Sequence, residues 1–264
     1  MTTITNGNYA LITGASGGIG LELAKEFAKN NINVVVVARS ESKLQSLASL
    51  LQQQYKVQVK VITKDLSKLE EVEALYQQLK YENITVDYLV NNAGFGDYAY
   101  FYEADWNKLH EMINLNITAL TRLSYLFVKD MIQQGFGKIM NVASTAAFQP
   151  GPTMAVYYAS KSYVLFLSEA MANELQDKGV TVTALCPGAT ESGFEVAAAL
   201  EESKLFKGKK LPSSAEVAAY GYKAMMKGKM VAIHGLMNNI MAQSIRLAPR
   251  ALVLKIVRHI QSKV

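Results

Sequence analysis

Residues 9–20 read YALITGASGGIG, a short apolar run that breaks into a cluster of four glycines. An apolar stretch of this length ending in glycines predicts a buried strand closed by a tight turn, with a helix beginning at Gly18. Glycine lets the backbone turn sharply and approach a bound anion, and a helix start directs unpaired N–H groups at that anion. A turn that merely needs positive φ has the same spelling. Its position between a first strand and a first helix is what marks it as a candidate phosphate site.

Outward from this turn, strand-like and helix-like segments alternate. NVVVVA (33–38) is followed by a helix from Glu41, VQVKVIT (57–63) by a helix after Ser67, and DYLVNN (87–92) by a long helix through Asn116. KIMNVAS (138–144), a helix within 155–176, VTVTALC (180–186) and MVAIHG (230–235) complete the series. This pattern predicts an α/β fold, a doubly wound parallel sheet of about seven strands with helices on both faces. Ser67 with Glu70, and Ser213 with Glu216, are spaced as capping boxes that start helices. The whole chain, residues 1–264, is expected to form one domain. Residues 189–212 lack a core pattern and are expected to act as a substrate lid, and residues 236–264 form a basic helical extension.

Composition narrows the function. The net charge of +5 is concentrated late: eight Lys and Arg and no acid follow Glu216, whereas residues 1–216 hold 19 Lys and Arg against 22 Asp and Glu. A basic end on a mildly acidic body argues against nucleic-acid binding. No apolar run reaches the roughly 18 residues of a membrane span, and the first residues lack the regions of a signal peptide. One cysteine, Cys186, allows no internal disulfide and fits a reducing, cytoplasmic compartment. It reads as a small buried side chain rather than a nucleophile. With three scattered histidines, no metal site is expected.

The chemistry is concentrated later in the chain. Tyr157 and Lys161 are four residues apart, so on a helix the ammonium can approach the phenol, favour its ionised form and make it a usable acid or base. Tyr76/Lys80 and Tyr125/Lys129 have the same spacing, and a surface contact accounts for them. Only Tyr157 follows a strand that delivers a hydroxyl, Ser144, at its carboxyl end, where ligands bind in an open α/β sheet. The second strand ends in Ala38 and Arg39, where a dinucleotide fold often has an acid for the ribose hydroxyls. A guanidinium there suits a 2′-phosphate, so NADP(H) is expected over NAD(H), with Lys43 assisting, although a solvated loop arginine would read the same way.

These motifs, in this order, resemble the short-chain dehydrogenase/reductase family over essentially the whole chain, in an NADP-preferring branch similar to ketoacyl and hydroxysteroid reductases. The resemblance implies a Rossmann-like fold whose cofactor is held by Gly14, Ser16, Gly18, Ile19 and Gly20 in the first turn. It implies an adenine contact at Asp65 and Leu66, and a cofactor wall at Asn92, Ala93 and Gly94. Pro187 and Gly188 match the turn beside the nicotinamide. The family often has threonine five residues after that proline; here Ser192 stands in its place, and either Ser192 or Thr190 can supply the hydroxyl. Asn116, Ser144, Tyr157 and Lys161 match the catalytic residues. By the same resemblance Tyr157 protonates a carbonyl, Lys161 lowers its pKa and holds ribose hydroxyls, Ser144 hydrogen-bonds the carbonyl oxygen, and Asn116 positions a water.

Phe95, Ala146, Phe148, Met154 and Phe194 flank these residues and point to a small hydrophobic carbonyl or alcohol as substrate, although ordinary core side chains would read the same way. A homodimer or homotetramer is implied by the resemblance. A non-catalytic NADP-binding sensor or membrane scaffold, and an isomerase on the same cofactor fold, are the competing readings. At the end of the chain, Leu252, Val253, Ile256, Val257 and Ile260 are expected on one helical face, with Lys255, Arg258, His259 and Ser262 opposite. Such a face covers itself on the body, on another subunit, or on an anionic membrane surface.

Overall fold

The computed structural model describes residues 8–194, 198 and 211–261. Seven strands, β1 (Tyr9–Thr13), β2 (Asn33–Ala38), β3 (Val59–Thr63), β4 (Val86–Asn91), β5 (Gly137–Val142), β6 (Val180–Cys186) and β7 (Val231–Ile233), form one parallel sheet. Their order is β3-β2-β1-β4-β5-β6-β7. The order reverses direction between β1 and β4, and ligands of doubly wound sheets bind above the carboxyl ends at such a point.

The alternation of side chains along each strand builds two cores. Ala10, Ile12, Val34 and Val36 face helices α1 (Gly18–Lys29), α2 (Glu41–Tyr55) and α7 (Ser214–Met226) through Leu23, Phe27, Leu44, Leu51, Val217 and Met225. Tyr9, Leu11, Val35 and Val37 face the other way, against Val72, Leu75 and Leu79 of α3 (Leu69–Tyr81) and Leu123, Phe127 and Met131 of α5 (Leu120–Gln134). Residues 34–37 are therefore apolar without interruption because both faces of β2 are covered. Full burial of each such valine contributes roughly 1.5–3 kcal/mol. On the α5 side, α6 (Ala155–Glu174) packs Val164 and Leu165 on Ala184 and Cys186 of β6.

Local signals are met with two exceptions. Ser213 and Glu216 form the reciprocal capping box at the start of α7. Ser67 does not cap α3: Lys68 occupies the N-cap position without a side-chain bond, because the Ser67 hydroxyl donates to Asp65 Oδ1 at 2.8 Å. The long helix through Asn116 is interrupted too. It consists of α4 (Trp106–Ile113), a π-helical turn at Asn114–Ala119 and α5, and π-turns inside helices recur at functional sites.

After β7 come α8 (Leu236–Ser244) and α9 (Arg250–Gln261). In α9 the expected single apolar face is divided. Val253 and Val257 are buried against the body, while Leu252, Ile256 and Ile260 are exposed, since five apolar positions span a wider arc than one docking surface covers. Most of the expected lid, residues 195–197 and 199–210, lies outside the described residues, as does Ser262. The two ends of that segment are joined, with Glu191 N–H donating to Pro212 O at 3.0 Å and Ser214 Oγ donating to Glu191 O at 2.9 Å.

Candidate active site

The glycine turn is held in place by β4. The Thr13 hydroxyl accepts from the backbone N–H groups of Asn92 and Ala93, both at 3.0 Å. Asn92 Nδ2 donates to the carbonyls of Thr13 and Gly14 at 2.9 and 3.3 Å. Asn92 thus acts here by clamping two loops together. Gly14 and Gly18 have φ of +67° and +54°, and a Cβ on Gly20 would lie 2.3 Å from Asn92 Nδ2, so the turn requires glycine on both conformational and steric grounds.

Above the turn the site is suited to an anion. Helix α1 begins without a side-chain cap or an acid in its first turn, and a Cβ on Gly17 would meet nothing within 4 Å. Its first N–H groups have no partner within the helix and carry its positive dipole end. Ser16 and Ile19 lie in the same turn, partly buried. Ser192 covers it from the far side, since a Cβ on Gly18 would approach Ser192 O to 2.8 Å. Thr190 is buried and its hydroxyl donates to Gly188 O at 2.9 Å, next to buried Pro187. Of the two hydroxyl residues left open by the sequence, Ser192 is the one against the glycine turn.

At the end of β2, Arg39 forms an exposed ion pair with Glu111 of α4 at 3.1 Å, and Lys43 is exposed on α2. Partial burial alone would raise the Asp65 carboxyl, but hydrogen bonds from Ser67 and the charges of Arg39 and Lys68 leave it below its ordinary range. Leu66 is buried beneath it and lines, with Asn114 and Thr118, a cleft of ≈ 390 Å³.

The remaining candidates converge at the carboxyl ends of β4, β5 and β6. Ser144, which caps the 3₁₀ turn Thr145–Phe148, accepts from Ala146 N–H at 3.0 Å and is hydrogen-bonded to the Tyr157 phenol. Lys161 is buried one turn further along α6, with Nζ 5.8 Å from the Tyr157 ring centre. Asn116 is 1% exposed. The π-turn presents its amide to the backbone of Phe95, where Oδ1 accepts from N–H at 3.1 Å and Nδ2 donates to the carbonyl at 3.0 Å. A Cβ on Gly94 would lie 2.8 Å from Asn116 Oδ1 and 3.5 Å from Lys161 Nζ, so glycine allows these groups to meet.

The electrostatics differ from the sequence expectation. Burial pushes the Tyr157 phenol up to about 12, with only the Ser144 hydrogen bond opposing it. Lys161 does not pull it down: its ammonium donates to Val142 O at 2.8 Å, and burial lowers its own pKa to about 8 against the pull of Cys186. Four-residue spacing produces the anticipated contact at the surface instead. Lys129 donates to the Tyr125 hydroxyl at 2.8 Å and lowers its pKa, whereas Tyr76 and Lys80 both bond to Asp130. Cys186 is buried and unpaired, and burial raises its thiol to about 12, which leaves it inert.

Beside Tyr157 the surface is apolar. Phe95, Ala146, Met154 and Phe194 belong to one cluster with it, and the Phe194 ring is 5.1 Å from the Tyr157 ring. Phe148 does not join them; it packs with Val164 and Ile233 in a separate cluster. Several supporting residues were not foreseen. Ser160 accepts from Asn116 Nδ2 at 3.1 Å, and Gln261 from α9 donates to the Tyr158 hydroxyl. Below the site Asn91 donates to Asn141 and Ser124, and Asn141 donates to Ser168, at 2.9–3.0 Å. Only Asn91 and Ser160 had a visible signal, lying within NNAG and YYASK.

The chain is similar to several known proteins. The chain is 34% identical over 187 residues to the very-long-chain 3-oxoacyl-CoA reductase of Anas platyrhynchos, covering 69% of this chain and 59% of that protein. It is 33% identical over 184 residues to the inactive hydroxysteroid dehydrogenase-like protein 1 of Homo sapiens, covering 69% and 55%. The matches thus span little more than half the length of these relatives. A short-chain dehydrogenase from Sphingobium yanoikuyae, solved in complex with NADPH, superimposes with a TM-score of 0.83 at 30% identity, covering 93% of this chain and 95% of that one. The short chain dehydrogenase family model matches residues 8–203, and with the glycine turn, the reversed strand order and the Ser144–Tyr157–Lys161 grouping in place, the chain belongs to the short-chain dehydrogenase family.

Proposed function

We propose that this protein is an NADPH-dependent oxidoreductase that reduces the carbonyl of a small hydrophobic molecule, or oxidises the corresponding alcohol. The observation that carries the reading is the grouping of Ser144, Tyr157 and Lys161 beneath an uncapped, acid-free helix start and beside an apolar wall. The turn around Gly14, Gly18 and Gly20 would hold the pyrophosphate, and Arg39 with Lys43 the 2′-phosphate. Bound NADPH supplies the hydride.

The chain's own residues do the rest. Tyr157, protonated throughout the physiological range because of its burial, donates its phenolic proton to the carbonyl oxygen. Ser144 donates a hydrogen bond to the same oxygen as charge develops. Lys161, with a pKa of about 8 against about 12 for the phenol, is the acid that restores this proton, through an intervening water because its ammonium bonds to Val142 O and not to the phenol. Asn116, locked to Phe95, is a positioning residue for this end of the site. The apolar wall of Phe95, Met154 and Phe194 selects an apolar substrate.

Apolar side chains exposed on α5 and α6, Tyr125, Tyr163 and Phe166, support self-association. The buried, unpaired Cys186 supports a reducing, cytoplasmic setting. A second reading, a nucleotide-binding protein without turnover, is favoured by the relative whose name calls it inactive. Absorbance of NADPH followed across a panel of apolar ketones and ketoacyl esters separates the two. Substrate-dependent consumption supports the reductase; tight NADPH binding with no consumption on any member supports the binder.

A further inference from the structure

The last part of the chain combines two features that the reductase reading does not use. It holds eight Lys and Arg after Glu216 with no acidic residue, and it leaves long apolar side chains uncovered. On α8, Leu236, Met237, Ile240 and Met241 share one side and are 47–79% exposed. On α9, Leu252, Ile256 and Ile260 recur every four residues and are 38–49% exposed. Among the described residues no helix is long and apolar enough to cross a membrane.

Helix α9 cannot turn these residues inward, because its other side is already engaged. Val253 and Val257 pack in the cluster of Tyr157 and Met154. Gln261, 1% exposed, donates to the Tyr158 hydroxyl, and its carbonyl accepts from Tyr98 at 2.8 Å. The outer stripe is therefore a fixed feature of the folded chain, with Arg250, Lys255 and Arg258 exposed along the same helix.

Charge decides what covers it. A second copy docking through this face on a two-fold axis would set cations against cations, which is unfavourable, and α5 with α6 offers a separate apolar face for self-association. An anionic bilayer matches both the apolar stripe and the cations of α9. We propose that the outer face of α9 docks on an anionic lipid surface, with Leu252, Ile256 and Ile260 inserted shallowly and Arg250, Lys255 and Arg258 at the headgroups. Because the inner side of α9 packs on the cluster around Tyr157, docking would hold the apolar substrate wall one helix away from lipid.

Co-sedimentation of the full chain with vesicles, without substrate or nucleotide, tests this independently of the reaction. The wild type is expected to bind phosphatidylcholine–phosphatidylglycerol vesicles at low ionic strength, to release at high ionic strength, and to ignore phosphatidylcholine alone. Reversing Lys255→Glu with Arg258→Glu should weaken binding by at least about tenfold, given roughly 1 kcal/mol per basic residue at the surface. The triple change Leu252→Ser, Ile256→Ser, Ile260→Ser alters only exposed side chains and should abolish binding without lowering the melting temperature. The proposal is overturned by absence of binding to anionic vesicles at low salt, or by equal binding of the wild type and both variants. It is also overturned if the triple change lowers the particle mass in lipid-free solution, which would assign the stripe to a second copy.

Discussion

Lys161 carries a charge that the fold strongly disfavours. Its pKa is about 8 in the folded chain, below the ordinary 10.5 that it regains on unfolding, with burial as the main cause. Below about 8 both states hold the proton and burial of the charge is a standing cost. Between about 8 and 10.5 the unfolded chain binds more protons, so this residue's contribution to stability improves as pH rises. Comparing melting temperatures of Lys161→Met and the wild type should therefore show the difference moving in favour of the wild type across that interval. Parallel curves would mean that Lys161 is not desolvated as described. At Arg39 the expectation concerns choice of nucleotide. Its ion pair with Glu111 is exposed, and such pairs are worth about 0–1 kcal/mol, so it can yield to a phosphate. Ala38→Asp with Arg39→Ala should shift preference from NADPH toward NADH. Equal wild-type Kd values for the two nucleotides would show that Arg39 does not read the phosphate.

Among elements, β4 and β5 bring a polar layer into the sheet beneath the site. Asn91 and Asn141 bond to each other, to Ser124 of α5 and to Ser168 of α6, fixing both helices relative to the strands that lead into Gly94 and Ser144. Truncation by Asn141→Ala strands the partners of a buried amide, and chemical denaturation should register a loss of about 1–3 kcal/mol. An unchanged midpoint would mean that the layer stabilises nothing. Elements of this kind show where the sequence is legible. Strand and helix identities follow from local periodicity, and the glycine turn from local spelling. The contacts of Asn116 with Phe95 and Ser160 and that of Gln261 with Tyr158 join positions far apart in the chain, and no local pattern encodes them. Ser67 misled because Asp65, two residues before it, competed successfully for its hydroxyl.

Across the whole molecule, a sheet reversing at β1 and β4 places the glycine turn and the Ser144–Tyr157–Lys161 group above the same edge of the sheet, although Ser144 lies 124 positions after Gly20. The spacing of Tyr157 and Lys161 was legible; the physical relation between them was not. Three Tyr-x-x-x-Lys pairs occur, and the one in the site lacks the direct contact that the surface pair Tyr125/Lys129 makes. Depth of burial, which only the fold supplies, separates them. Tyr157 is the residue proposed to deliver the proton in turnover. The most direct test is kcat of Tyr157→Phe with NADPH and a substrate turned over by the wild type, alongside the nucleotide Kd of both proteins. The expected result is a fall in kcat of about 10²–10⁴ with Kd unchanged, while Tyr76→Phe and Tyr125→Phe retain nearly full activity. Near wild-type turnover by Tyr157→Phe would mean that another group delivers the proton.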